Sequence, residues 1–317
     1  MSKSKARQTS RSAVSPQPHS ERTSRPPKSA PPTISGKWLL GALAIALLAA
    51  LLCAWGSLCL LFWQGSWQLL YHPAPAVTRT PANVNLPFES IGFATAASGE
   101  PQLRGWWIPA EPEARLTVIF LHGETGNLGD TVSALASLHE SGVNVFAFDY
   151  RGYGQSHFEH PSEKRWLEDA ESALRYLTGT RHIPTSSIAL IGRDLGANLA
   201  LEVASGHPDL AGIILEQPKE SPTAAIFNDA RSHLVPAHLL VRDRWDTKAA
   251  ASNLLIPSLW FYLTPADTHA QPGDTGQAYQ AVPARKKIVW LTTSKDEPRQ
   301  FEEALKDFLD QLKKPAR

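Results

Sequence analysis

Residues 192–196 read Gly192-Arg193-Asp194-Leu195-Gly196, a charged centre flanked on both sides by glycine. The run before them, Ser187-Ile188-Ala189-Leu190-Ile191, has the pattern of a short apolar strand. The run after, Ala197-Asn198-Leu199-Ala200-Leu201-Glu202-Val203-Ala204, is helical in character and opens on small residues. Strand, sharp turn and helix in that order lift one side chain above a sheet edge and aim backbone N–H groups at it. A serine at the centre of such a Gly-x-Ser-x-Gly turn would be a nucleophile. Here the centre is a carboxylate, Asp194, and two chemistries are open to it. It could attack an electrophile or take a proton. It could instead be structural, favoured by the helix dipole and by capping of free N–H groups, and fill the place of a substrate oxygen.

The elements that must position it follow from periodicity. Strands are expected over Ser90–Thr95, Leu103–Ile108, Leu116–His122, Asn144–Asp149, Ser187–Ile191, Ala211–Glu216, Pro257–Leu263 and Lys287–Leu291. Helices are expected over Asp130–Ser141, Ser162–Thr178, Leu195–Ser205, Asp274–Ala281 and Arg299–Leu312. A β-rich start followed by strand–helix alternation implies an α/β fold, a mostly parallel eight-stranded sheet with helices on both faces. Ligands in such sheets bind at the strand C-termini. His122, Asp149, Asp194, Glu216 and Asp267 all fall at or just beyond a strand end.

Three motifs then carry a resemblance. Phe120-Leu121-His122-Gly123-Glu124-Thr125-Gly126-Asn127 resembles the His-Gly oxyanion loop of the α/β-hydrolase superfamily. Phe148-Asp149-Tyr150-Arg151-Gly152-Tyr153-Gly154-Gln155-Ser156 looks like the run that follows its next strand. Residues 192–196 match its nucleophile elbow everywhere but the centre. The apolar segment followed by Tyr71-His72-Pro73 resembles a membrane-anchored branch of serine hydrolases related to the serine aminopeptidase-like group.

The resemblance implies site roles residue by residue. The backbone N–H groups of Glu124 and Leu195 match the oxyanion-hole donors, with His122, Gly123 and Glu216 around the cleft. Asp267, in Thr264-Pro265-Ala266-Asp267, matches the triad acid, although Leu263-Thr264 stands where the family often has His-Gly. The triad histidine is missing, since none follows the last strand through Arg317. Lys295 stands nearest to its expected position, and His269 is the nearest histidine to Asp267 in sequence. Haloalkane dehalogenases and epoxide hydrolases of this superfamily use an elbow aspartate, but they also need a histidine and carry a cap domain. Glu124 beside Asp194 would make a carboxylate pair that resists joint ionisation. Such a pair could do acid–base work or, with His122, hold a divalent cation. Neither a cofactor nor a metal is demanded by the spacing.

Composition divides the chain. Of its 31 basic and 30 acidic residues, eight and one fall in 1–37, which leaves 23 and 29 beyond. Residues 1–37, rich in Ser and Pro, read as a disordered basic tail. The mild acidity of the remainder argues against nucleic-acid binding by the folded part. From Trp38 to Trp63 no charged residue occurs, a run longer than the ~20 apolar residues that cross a bilayer. Residues 38–63 are therefore expected to form a transmembrane helix with the lipid bilayer as partner, 64–87 a linker and 88–317 the α/β-hydrolase domain. A cleaved signal peptide is the alternative, but both the tail and the apolar run are long for one. Eight basic residues precede the run and none follows until Arg79, so the N-terminus is expected in the cytoplasm and the domain outside. Both cysteines, Cys53 and Cys59, lie in the span, so the domain needs no disulfide.

The sequence thus leads to a degenerate hydrolase that binds a ligand or partner in its old cleft. The rivals are an active hydrolase using Asp194 as nucleophile or base, and residual activity from the oxyanion hole alone.

Overall fold

The structure, a computed structural model, describes residues 35–96, 98–110, 112, 114–264, 276–292 and 297–313. Asp267, His269, Lys295 and almost all of the tail expected over 1–37 lie outside the described residues.

The strands whose residues alternate least in the sequence are buried throughout: β4 (Thr117–Leu121), β6 (Asn144–Asp149), β7 (Ile188–Arg193, bar its last residue) and β8 (Gly212–Glu216). Burial on both faces is what a parallel sheet covered by helices requires. These four join β2 (Glu89–Thr95), β3 (Pro101–Ile108), β9 (Ser258–Thr264) and β10 (Lys286–Thr292) in an eight-stranded sheet of order β10-β9-β8-β7-β4-β6-β3-β2. The β2–β3 and β3–β6 pairs are antiparallel and the rest parallel.

Successive side chains of β4 enter opposite layers. Val118 and Phe120 pack with helices α2 (Val132–Glu140) and α9 (Glu297–Leu312) through Leu135, Leu305 and Leu309. Ile119 and Leu121 face α3 (Glu163–Arg175) and α4 (Leu195–Gly206) through Trp166, Ala173, Leu199 and Val203. Each fully buried Leu, Ile or Phe contributes about 1.5–3 kcal/mol relative to exposure.

The expected helices are found with shifted ends. The one placed at Asp130–Ser141 begins as a tight turn over Leu128–Thr131, capped by Asn127, before α2 proper. The one placed at Ser162–Thr178 is α-helical to Arg175, then widens over Tyr176–Thr180. Short helices α5 (Ala224–Phe227), α6 (Ala237–Leu240) and α7 (Thr247–Ser252) fill the stretch between β8 and β9, and α8 is Gln277–Ala281.

Helix α1 runs over Gly36–Gly65, and the helix is long and apolar enough to cross a membrane. The chain divides into two compact units at Leu52/Cys53, so the last turns of α1 belong with the domain. The stretch 64–87, expected as a linker, is packed against the domain along part of its length. Leu70 and Tyr71 are almost wholly buried. His72 and Pro73 (β1) pair in parallel with Thr125 and Gly126 (β5). Asn127 donates to the carbonyls of Ala74 and Ala76.

Candidate functional site

The elbow is built as the glycines require. A Cβ on Gly192 would lie 2.2 Å from the Gly196 carbonyl oxygen, and one on Gly196 would lie 2.3 Å from those of His122 and Leu121. The turn can therefore press α4 against the ends of β7 and β4 only with glycine at both places. Asp194 at its apex has φ +52° and ψ −122°, a strained conformation for a residue with a side chain. Its N–H donates to the Glu216 carbonyl at 2.8 Å, which ties the apex to β8.

Asp194 is not placed as a cap on its helix. Its side chain makes no cap hydrogen bond, and among the described residues none of any kind. The group on the Leu195 N–H is the Glu124 carboxylate, with Oε2 accepting at 3.1 Å. The other oxygen, Oε1, bonds to the Lys219 ammonium. The longer Glu124 reaches this donor from the facing loop, while Asp194 lies against Gly123. That loop is held by three bonds to two carbonyls. Glu124 O accepts from the Tyr153 hydroxyl and the His72 N–H, both at 2.8 Å, and His122 O from the Tyr150 hydroxyl at 2.9 Å.

Lys219 was not among the sequence candidates. It follows β8 and is fixed through its backbone. Buried Asn198 on α4 donates to its carbonyl at 2.7 Å and accepts from its N–H at 3.0 Å. The lysine and its acid stand 95 residues apart, with no local pattern linking them.

The expected carboxylate pair is present. Burial holds the Asp194 carboxyl above its ordinary range, the Glu124 charge adds to that, and Lys219 and Arg193 pull the other way. Arg193, beside Asp194, donates from Nε to Glu216 Oε2 at 2.8 Å. Glu216 is likewise held up by burial and pulled down by Arg193.

His122, expected around the cleft, lies buried beside it. It is 1% exposed, with Nδ1 hydrogen-bonded to the Gly123 carbonyl at 2.8 Å. Its Nε2 lies 3.5 Å from Asp149 Oδ1, close enough for electrostatic contact but without hydrogen-bond geometry. Burial lowers the His122 pKa to about 4 and raises that of Asp149 to about 7. Asp149 Oδ1 accepts from the Leu128 N–H at 2.7 Å. A Cβ on Gly154, at φ +48°, would collide with the same carboxylate. The pair is a buried brace under the oxyanion loop. Among the described residues no three His, Cys, Asp or Glu side chains are grouped to hold a metal ion.

Above Asp194 opens a cavity of about 550 Å³ between α2 and α9. Phe120, Leu291, Phe301 and Leu305 give it apolar walls, and Arg193, Asp194 and Glu216 are among the polar groups that line it.

Residues 117–316 match the family model described as alpha/beta hydrolase fold. The chain belongs to that family. Sequence relatives of this hydrolase-fold chain include the alpha/beta hydrolase domain-containing protein WAV2 of Arabidopsis thaliana, 33% identical over 47% of this chain and 50% of WAV2. The uncharacterized protein YfhR of Salmonella typhimurium is 40% identical over 44% of each chain. The chain thus matches only about half the length of these curated relatives. Among solved structures, the Pyrococcus furiosus esterase Pf2001 superposes with a TM-score of 0.58 at 18% identity, covering 76% of this chain and 98% of that one. At that identity the likeness concerns the fold.

Proposed function

We propose that this hydrolase-fold protein is anchored by α1 as a single membrane span and has lost serine-type catalysis, its cleft retained for binding. In this reading residues 1–37 form a cytoplasmic tail, the hydrolase domain lies on the outer side, and Asp194 stands where related enzymes carry the nucleophilic serine.

The observation that supports the reading is the Glu124 carboxylate on the Leu195 N–H, held from behind by Lys219. An oxyanion hole works by offering unpaired N–H donors to a developing negative charge. Here one donor is spent on a fixed negative charge, and the same charge repels any oxyanion formed beside it. The cavity above is suited to a molecule with an apolar body and a hydrogen-bond-donating head that meets Asp194 and Glu216.

A second reading draws on the raised pKa of Asp194, which suits a carboxylate to proton abstraction. The experiment that separates the two is an activity assay on short-chain nitrophenyl esters with fluorophosphonate labelling alongside. Binding without turnover gives background hydrolysis and no labelled residue. Hydrolysis abolished by Asp194→Asn would establish Asp194 as a catalytic residue and displace the first reading.

A further inference from the structure

A second cavity lies away from the Asp194 cleft, at the C-terminal end of α1. It measures about 670 Å³. Trp63 lines it from the end of α1 and Trp67 from the turn after it, His160 from the loop before α3 and Arg165 from its first turn, and Arg242 and Asp243 from the segment after α6.

Its charge is oriented. Asp243 Oδ2 accepts from the Tyr71 hydroxyl at 2.5 Å, so this acid is turned toward the buried side. Arg165 donates to Glu159 at 2.7 Å and to the His160 carbonyl at 3.0 Å. Arg242 is exposed, stands with its guanidinium 5.3 Å from the centre of the Trp63 ring, and has no acidic partner among the described residues. The cavity therefore offers a cation whose charge is unanswered.

Its depth is also constrained. A helix of 30 residues is ~45 Å long, against a hydrocarbon core of ~30 Å. The last turns of a spanning α1 then run through the headgroup layer, where Trp63 and Trp67 are at home. Trp55 donates its indole N–H to the Leu234 carbonyl at 3.2 Å, which fixes the segment before α6 alongside those turns. Leu234 in that segment and Leu239 in α6 are exposed by 60% and 84%. Leucines held beside an apolar span, with an arginine close behind, have the arrangement of an interfacial element whose cationic head reaches the phosphates.

We propose that this cavity holds the headgroup of an anionic phospholipid, its phosphate paired with Arg242, while Leu234 and Leu239 enter the acyl boundary. The proposal rests on α1 being a membrane span. A choline headgroup is disfavoured because the aromatic faces that would receive it are taken. Arg242 covers Trp63, and His160 stacks on Trp67 at 4.8 Å.

The test uses the full chain in detergent, with native mass spectrometry counting lipids retained from an equimolar mixture of phosphatidylglycerol and phosphatidylcholine. The expected result is retention of phosphatidylglycerol over phosphatidylcholine by about tenfold, equivalent to about 1.4 kcal/mol. Arg242→Ala, which breaks no protein ion pair, should abolish the preference without lowering Tm, and Arg242→Lys should restore most of it. Equal retention of the two lipids, or a preference unchanged in Arg242→Ala, overturns the headgroup site. Carbonate washing of membranes separates the two claims. A chain that washes off removes the span and the proposal with it, whereas a chain that stays but binds both lipids alike removes only the proposal.

Discussion

The Glu124 carboxylate and the Leu195 N–H are hydrogen-bonded at 3.1 Å beside the strand–turn–helix that carries Asp194. Two features of this turn are set by packing rather than by the chemistry of its central residue: the close glycine contacts at 192 and 196, and the positive φ at 194. Strain of order 1–3 kcal/mol at such a residue persists only when its surroundings enforce it. The turn is therefore held by packing between α4 and the strand ends, and the chemistry at its apex can change without loss of the fold.

On the proposed reading, serine-type catalysis should need three changes to be restored. Asp194→Ser supplies a hydroxyl, and Lys295→His supplies an imidazole where family order places one, but both leave Glu124 on the Leu195 donor. Adding Glu124→Ala frees that donor and keeps the Glu124 backbone N–H. The triple variant should exceed Asp194→Ser/Lys295→His by about 10²–10³ in esterase rate, the range of one oxyanion donor. Initial rates on nitrophenyl acetate provide the comparison. Equal rates would mean that Glu124 does not block the hole.

Asn198 positions Lys219 without touching the cleft. It joins the Lys219 backbone at both N–H and C=O and donates to Thr247 Oγ1 at 2.8 Å. Asn198→Ala leaves these buried groups unpaired and should destabilise the domain by about 1–3 kcal/mol. Chemical denaturation measures this directly, with Asn198→Asp as the comparison that keeps an acceptor for the Lys219 N–H. A loss confined to a few tenths would show the Lys219 loop to be held elsewhere.

The layered sheet was legible because buried parallel strands declare themselves. Asn144–Asp149 is apolar along nearly its whole length and was placed with both ends correct. The elbow was legible because its glycines bracket a strand-to-helix change. What escaped depends on chain segments meeting at a distance. β1 and β5 are two residues each, too short for any periodicity, and exist because the stretch after α1 folds onto the oxyanion loop. Lys219 is an ordinary loop lysine until Asn198 fixes it opposite Glu124. His122 read as a cleft residue from its place at a strand end, but its ring turns inward onto the Gly123 carbonyl.

The buried His122–Asp149 brace should leave opposing marks on the pH dependence of stability. His122 has its pKa lowered from 6.5 to about 4. The stability it contributes is full above 6.5 and lost as pH falls through 4, since the unfolded chain takes the proton first. Asp149 has its pKa raised from 3.8 to about 7. Its ionisation in the folded state is penalised, so stability declines as pH rises from 3.8 through 7. Between pH 4 and 6.5 the two slopes oppose. Asp149→Asn removes the declining one, so Tm in the variant should climb more steeply with pH over that window. A slope equal to that of the unmodified protein would show that Asp149 is already ionised there.

Two glycines near Asp194 should respond oppositely to the same substitution. In Gly196→Ala the new methyl meets two backbone carbonyl oxygens, those of His122 and Leu121, each 2.3 Å away. Neither can yield without moving β4 or its exit loop. Overpacking against side chains commonly costs about 1–3 kcal/mol, and a clash with fixed backbone should reach or pass the top of that range. In Gly123→Ala the nearest atoms are Cβ and Oδ2 of Asp194, both at 3.2 Å. Oδ2 belongs to a half-buried side chain with no hydrogen bond among the described residues and can swing aside, while the Cβ contact needs a backbone adjustment of only a few tenths of an ångström. Gly196→Ala should therefore yield little folded protein, while Gly123→Ala should keep its Tm within a few degrees, where about 2–4 °C corresponds to 1 kcal/mol in a domain of this size. Soluble yield and Tm of the two variants, made in parallel, test the contrast. A tolerated Gly196→Ala would mean that α4 can lift from the sheet, and that the positive φ at Asp194 is not enforced by the packing beneath it.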